Sequence, residues 1–283
     1  MSPVGCAMRN ISFETASRGG WTLRGDIRWD GGSARRPVVV VCHGFKGFKN
    51  WGFFPWLGER LAAAGFLSVS FNFSGCGVGA DLFEFTELDR FAADTITRQI
   101  DDLGTVLDGV TSGALGCGVA DPRRIAVLGH SRGGGVAVLR AREDRRVGAV
   151  VTWAGVAKGL RWPAEERREW RARGFAEFPN ARTGQMMRVD VTLLDDLETN
   201  AGRFDILRAA SESRAPFLIV HGDADLSVPA TEASALYGAA PAGRAELLLL
   251  PGAGHTFGAE HPWKGPTPAL ERALEHTIAW LER

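Results

Sequence analysis

Ser131 stands in the pentapeptide Gly129-His130-Ser131-Arg132-Gly133. A serine hydroxyl is a poor nucleophile near neutral pH, so chemistry at Ser131 needs a base within hydrogen-bond reach and a third group to hold that base in one tautomer. His255, in the run Pro251-Gly252-Ala253-Gly254-His255, is the expected base. Asp225 and Asp223, both in His221-Gly222-Asp223-Ala224-Asp225-Leu226-Ser227-Val228-Pro229, compete for the third position, and Asp225 is the expected one. The order Ser, Asp, His suits a serine at a strand-to-helix turn. An oxyanion formed by attack of Ser131 requires two backbone donors, one following the nucleophile and one from the loop after an earlier strand. Arg132 N–H fits the first, and Phe45 N–H in His43-Gly44-Phe45-Lys46-Gly47 fits the second.

A G-x-S-x-G match is weak by itself, so its weight comes from the elements around it. Short β-branched apolar runs at residues 37–42, 66–71, 124–128, 147–153, 216–220 and 246–250 predict buried strands, and residues 11–13 and 21–29 predict an antiparallel edge hairpin. Helical periodicity falls between them, at residues 53–64, 88–110, 131–142, 231–238 and 267–281. This alternation predicts a mostly parallel sheet of eight strands flanked by helices. The serine, aspartate and histidine candidates then all follow the C-terminal ends of strands, where open α/β sheets build their sites.

The interval between the strands at 147–153 and 216–220 is too long for one crossover helix. It predicts an inserted cap over residues 157–213, dividing a core of residues 1–156 and 214–283. Arg161, Arg167, Arg168, Arg171 and Arg173 interleave there with Glu165, Glu166 and Glu169, as surface ion pairs would. Trp162 and Trp170 either clamp a substrate or glue the cap to the core. Trp153, Cys76 and Arg182 are the expected substrate contacts. Asp195 and Asp196 read as a solvated helical face, His130, His43 and His221 as packing residues, and His261 and His276 as solvated.

Lys plus Arg and Asp plus Glu both number 33, so no global field attracts nucleic acid or an anionic membrane. Four scattered cysteines fit neither a zinc site nor a disulfide scaffold, and no apolar run suits a signal peptide or membrane span. A cytoplasmic protein acting on a neutral or small substrate is expected, and a homodimer is compatible with the sequence. Ser74-Gly75-Cys76-Gly77-Val78-Gly79 has the glycine spacing of a phosphate loop but lacks the following helix and acidic residue, and it reads as a loop at the sheet edge.

The His43-Gly44-Phe45-Lys46-Gly47 run, the Ser131 pentapeptide, Asp225 in its H-G-x-x-D-x-x-V-P stretch and His255 together resemble the α/β-hydrolase superfamily over nearly the whole chain. Within it the chain resembles dienelactone-hydrolase-like and cinnamoyl (feruloyl) esterase-like serine hydrolases, including an insertion after the strand ending near Trp153. The resemblance implies hydrolysis of a small-molecule carboxylic ester through an acyl-serine, without metal or organic cofactor. A serine stands where true dienelactone hydrolases carry cysteine. An aminopeptidase or acyl-CoA thioesterase on the same fold, or a non-catalytic binding module, are the alternatives.

Overall fold

The computed structural model describes residues 7–115, 118–180 and 184–283. Strands β1 (Arg9–Ala16), β2 (Thr22–Trp29), β3 (Arg36–Cys42), β4 (Leu67–Asn72), β5 (Ala120–His130), β6 (Val147–Trp153), β9 (Phe217–Gly222) and β10 (Ala245–Leu250) form one sheet in the order β1-β2-β4-β3-β5-β6-β9-β10. The expected hairpin is there: β1 pairs antiparallel with β2, which pairs antiparallel with β4. The remaining neighbours are parallel.

Alternation along the central strands explains why both faces must be covered. In β3, Val38 and Val40 join one apolar cluster while Val39 and Val41 join another. The first cluster packs under α3 (Ile96–Ser112) and α4 (Arg132–Glu143), the second under α1 (Phe54–Ala63) and α9 (Pro268–Leu281). Each of these fully buried valines contributes on the order of 1.5 kcal/mol, which is why the central strand reads as an unbroken apolar run. Strand order reverses between β3 and β5, and the crevice at their C-terminal ends is the position where such sheets hold ligands.

The single helix expected over residues 88–110 is instead two, α2 (Leu88–Ala92) and α3. Thr95 interrupts it in extended backbone (φ −138°, ψ 162°), with its side chain accepting the Arg98 N–H as a fresh N-cap. Asp94, buried just before it, accepts from Gln99 Nε2 at 2.5 Å.

Between β6 and β9 lie α5 (Ala164–Arg173), the antiparallel pair β7 (Phe175–Pro179) and β8 (Met186–Asp190), α6 (Thr192–Thr199) and α7 (Ile206–Glu212). The arginines of α5 do not pair along their own helix with Glu165, Glu166 or Glu169. Arg171 reaches Asp195 and Glu198 on α6, and Arg167 also reaches Glu198. Trp162, Trp170 and Phe178 form an aromatic cluster, with centroids 5.0 to 5.9 Å apart. Trp170 is buried and serves as glue. Helix α8 (Ala230–Ala239) follows β9.

Asp196 is not part of a solvated face. Its carboxylate accepts Thr97 N–H at 2.9 Å and Thr97 Oγ1–H at 2.5 Å, so α6 is fastened to the N-terminus of α3, where negative charge is favoured. Asp196→Ala is expected to destabilise the protein by about 1–3 kcal/mol, read as a lower urea midpoint at unchanged m-value.

His261 and His276 also have definite partners. His261 Nδ1 accepts Gly52 N–H at 2.9 Å, and its ring stacks on Trp51. His276 lies 2.5 Å from Glu246 Oε1. Cys42 and Cys76 are buried free thiols, while Cys6 and Cys117 fall outside the described residues. Among the described residues no helix is long and apolar enough to cross a membrane.

Candidate active site

Strand β5 and helix α4 meet at Ser131 so tightly that the serine backbone enters the positive-φ region (φ 55°, ψ −120°). Such a conformation costs on the order of 1–3 kcal/mol for a residue with a side chain and survives only where surrounding bonds enforce it. Here Ser131 N–H donates to Trp153 O at 2.9 Å, and Ser131 O accepts from Gly134 N–H at 3.0 Å and Val156 N–H at 3.2 Å. The glycines on either side are required by contact. A Cβ at Gly129 would lie 2.2 Å from Gly133 O, and one at Gly133 would lie 2.5 Å from both Cys42 O and His43 O.

The loop after β3 lies directly beside Ser131. A Cβ on Gly44 would stand 2.9 Å from Ser131 Cβ and 3.2 Å from His130 O. Gly44→Ala must therefore push the loop away from the serine. An activity loss of about tenfold or more, with a much smaller change in melting temperature, is the expected result.

His255 follows β10, and its Nδ1 lies 2.7 Å from Asp225 Oδ2. Asp225 Oδ1 accepts the N–H groups of Ser227 (2.8 Å) and Val228 (2.9 Å), and His221 Nε2 is 3.4 Å from Oδ2. Burial of the Asp225 carboxyl favours its neutral form, but hydrogen bonds from His221, His255 and Val228 outweigh it and hold the group well below the usual carboxylate range. An ionised carboxylate only accepts, so His255 carries its proton on Nδ1 and leaves Nε2 with a lone pair. Asp223, the competing acid, accepts Gly252 N–H at 2.7 Å and staples the loops after β9 and β10 together.

His130, His43 and His221 make structural contacts. His130 Nε2 bonds His255 O at 3.0 Å, and burial, with the neighbouring His255, pushes its pKa down to about 3. His43 holds Gly44 O through Nδ1 (2.9 Å) and accepts Phe73 N–H through Nε2 (3.2 Å), with burial lowering its pKa to about 4. His221 Nε2 is 2.8 Å from Val228 O.

Ser131, His255, Phe45 and Arg132 line one cavity of about 490 Å³. Its apolar wall comes from α3, α4, α6, α7 and the segment before α7, through Ile96, Leu139, Leu193, Leu197, Phe204 and Ile206, and Trp162 and Phe178 complete it. Val228 and Lys158, not anticipated from sequence, also line it. The Leu193, Leu194, Leu197 spacing was the available signal for the α6 contribution.

Two expected substrate contacts lie elsewhere. Trp153 is fully buried on the opposite face of the sheet, against Phe53 and Phe257, with Nε1 donating to Thr277 Oγ1 at 3.0 Å. Cys76 is buried away from the cavity and receives Val78 N–H, and burial pushes its thiol pKa up to about 12. Arg182 falls outside the described residues. Among the described residues no group of three or more His, Cys, Asp or Glu side chains could hold a metal ion.

Residues 39–265 match the sequence model of the alpha/beta hydrolase family, and the chain belongs to that family. An uncharacterized 31.7 kDa protein of the traX-finO intergenic region of Escherichia coli is 26% identical over 247 residues, covering 76% of this chain and 82% of the relative. Among solved structures, Est1E from Butyrivibrio proteoclasticus with ferulic acid bound superposes with a TM-score of 0.72 at 19% identity, over 95% of this chain and 98% of that one. The esterase domain of a Rhodothermus marinus protein does so with a TM-score of 0.64 at 18% identity, over 97% of each chain. The sheet order, the flanking helices and these likenesses define the α/β-hydrolase fold.

Proposed function

We propose that this hydrolase is a serine carboxylic ester hydrolase acting through an acyl-enzyme on a small or aromatic acyl ester. The observation that carries the reading is the convergence on one cavity of a strained Ser131 and a His255 whose Nδ1 is engaged by Asp225 at 2.7 Å. In this reading Ser131 Oγ attacks the ester carbonyl while His255 Nε2 takes its proton. The N–H groups of Phe45 and Arg132 stabilise the oxyanion, each worth about 3 kcal/mol to the transition state. The C–O bond to the alcohol then breaks, and His255 returns the proton to the departing oxygen. Water, deprotonated by His255, cleaves the acyl-serine bond, the acid departs, and Ser131 regains its proton.

Of the alternatives, aminopeptidase activity is disfavoured by charge. A substrate ammonium group wants a carboxylate, and among the described residues the ionisable side chains along the cavity are Lys46, Arg132, Lys158, Arg161 and His255. The test is a panel of p-nitrophenyl acyl esters, methyl ferulate, an acyl-CoA and an aminoacyl anilide, assayed beside Ser131→Ala. Turnover of oxygen esters by the wild type alone supports the reading. Preference for the acyl-CoA or the anilide replaces it, and turnover of nothing in the panel sinks it in favour of a binding role.

A further inference from the structure

The four cations that line the cavity among the described residues differ in how far their charge is already satisfied. Arg161 is neutralised: its Nη1 lies 2.7 and 2.8 Å from the two carboxylate oxygens of Glu232, and its Nη2 reaches Ser227 O at 3.3 Å. Lys46 donates to Pro179 O at 2.9 Å. Lys158 stands exposed at the rim with no ion pair to a described residue.

Arg132 is the unusual one. Its guanidinium carbon lies 4.0 Å from the centroid of the Phe45 ring, and the group makes no hydrogen bond or ion pair with any described residue. Burial lowers its pKa to about 10, with Asp94 opposing and Arg161 adding to the effect through space; Gln99 takes Asp94 Oδ2, and neither Asp94 oxygen is hydrogen-bonded to Arg132. Among the described residues no aspartate or glutamate lines the cavity. A half-buried guanidinium, with its N–H fork unused and open to a pocket, is a receptor for a planar anion, because a carboxylate matches that fork with two parallel charge-assisted bonds.

We infer that the substrate is an ester bearing a free carboxylate, bound by the Arg132 guanidinium while its apolar part lies against the wall formed by Ile96, Leu139, Leu193 and Leu197. The inference rests on the ester-hydrolase reading and narrows it. Because Arg132 directly follows Ser131, its reach restricts the carboxylate to within several bonds of the scissile carbonyl. The cation–π contact with Phe45 holds the guanidinium in place, which lowers the entropy lost when the anion docks.

The test compares matched esters that differ only in charge. On the acyl side these are monomethyl adipate and the methyl ester of adipic monoamide; on the alcohol side, the acetyl esters of 4-hydroxybenzoate and of 4-hydroxybenzamide. The wild type is expected to favour the anionic member of one pair by about tenfold or more in kcat/KM, and which pair it is tells whether the charge belongs to acid or alcohol. Within Arg132→Met the same ratio is expected to fall toward one, and Arg132→Lys to restore part of it, since charge returns without the fork.

A wild-type ratio of one or less in both pairs, with the neutral esters still hydrolysed in a Ser131-dependent way, overturns the carboxylate subsite and leaves the ester hydrolase standing. Loss of all Ser131-dependent turnover removes the ester reading instead. Calorimetric titration of adipate and of 4-hydroxybenzoate into the wild-type protein, which needs no turnover, reads the subsite separately. Binding that weakens as ionic strength rises supports it, and absence of binding by both anions overturns it.

Discussion

Ser131→Ala is expected to lower kcat for any ester the wild type hydrolyses by at least about 10⁴-fold while the protein remains folded, leaving only what the oxyanion donors and substrate binding supply. The fold should survive because what enforces the Ser131 backbone is main-chain bonding, to Trp153 O and from the Gly134 and Val156 N–H groups, and none of it uses the hydroxyl. A companion variant separates strain from chemistry. At φ 55° glycine is at ease where serine is not, so Ser131→Gly should be equally inactive yet more stable than Ser131→Ala by about 1 kcal/mol. Circular dichroism melts alongside single-turnover kinetics would read both. Wild-type activity in Ser131→Ala would remove Ser131 from the chemistry, and a melting order with the glycine variant lowest would contradict the strain.

Asp225→Asn should cost about 10⁴-fold in kcat with a much smaller effect on KM. The amide puts an N–H₂ group among donors that now converge on an anion: the Ser227 and Val228 N–H groups, His221 Nε2 and His255 Nδ1. Whichever oxygen the amide keeps, at least one donor loses its acceptor, and His255 is free to take the tautomer that turns an N–H toward Ser131. The substitution also removes a pH-dependent share of stability. An aspartate ionises near 3.9 in an unfolded chain and well below that here. Its stabilisation is therefore full above about pH 4 and is progressively lost as pH falls below that value, since the unfolded chain then takes up a proton that the folded one refuses. Asp225→Asn should be less stable by about 2 kcal/mol at pH 7, and the gap should narrow as the medium is made strongly acidic. A rate within tenfold of wild type would move the role to Asp223, whose carboxylate is occupied with Gly252 N–H.

The candidate site residues were legible because each follows an apolar strand, buried for β3, β5 and β9 and half-exposed at the sheet edge for β10: Phe45 after β3, Ser131 after β5, Asp225 after β9 and His255 after β10. A parallel sheet delivers all such loops to one edge, so finding the strands nearly finds the site. What a strand end does not reveal is the face. Trp153 terminates β6 at the right edge, yet its parity sends the indole to the α1 and α9 side with Val39 and Val41. Helix interruptions were equally hidden. The periodicity over residues 88–110 continues through Asp94 and Thr95, and only the tertiary burial of Asp94 and the local cap at Thr95 break it. Asp196 looked solvated because its partner, Thr97, is a long way off along the chain. Charge identity was read correctly on α5, but its partners on α6 depend on how two elements dock, which no periodicity within one helix encodes.

Beyond the oxyanion contact proposed for its N–H, Phe45 holds its surroundings through its ring. Its ring meets Phe178 of β7 at 5.6 Å and Phe91 at 5.5 Å, its neighbour Lys46 grips Pro179 O, and Arg132 lies across it. The segment over the cavity is thus not a detachable module. Grafting a foreign segment in place of residues 157–213 to retune substrate choice would strip the outer support from Phe45 and Lys46, so a chimera would have to carry matched substitutions at both residues or accept slower turnover along with its altered preference.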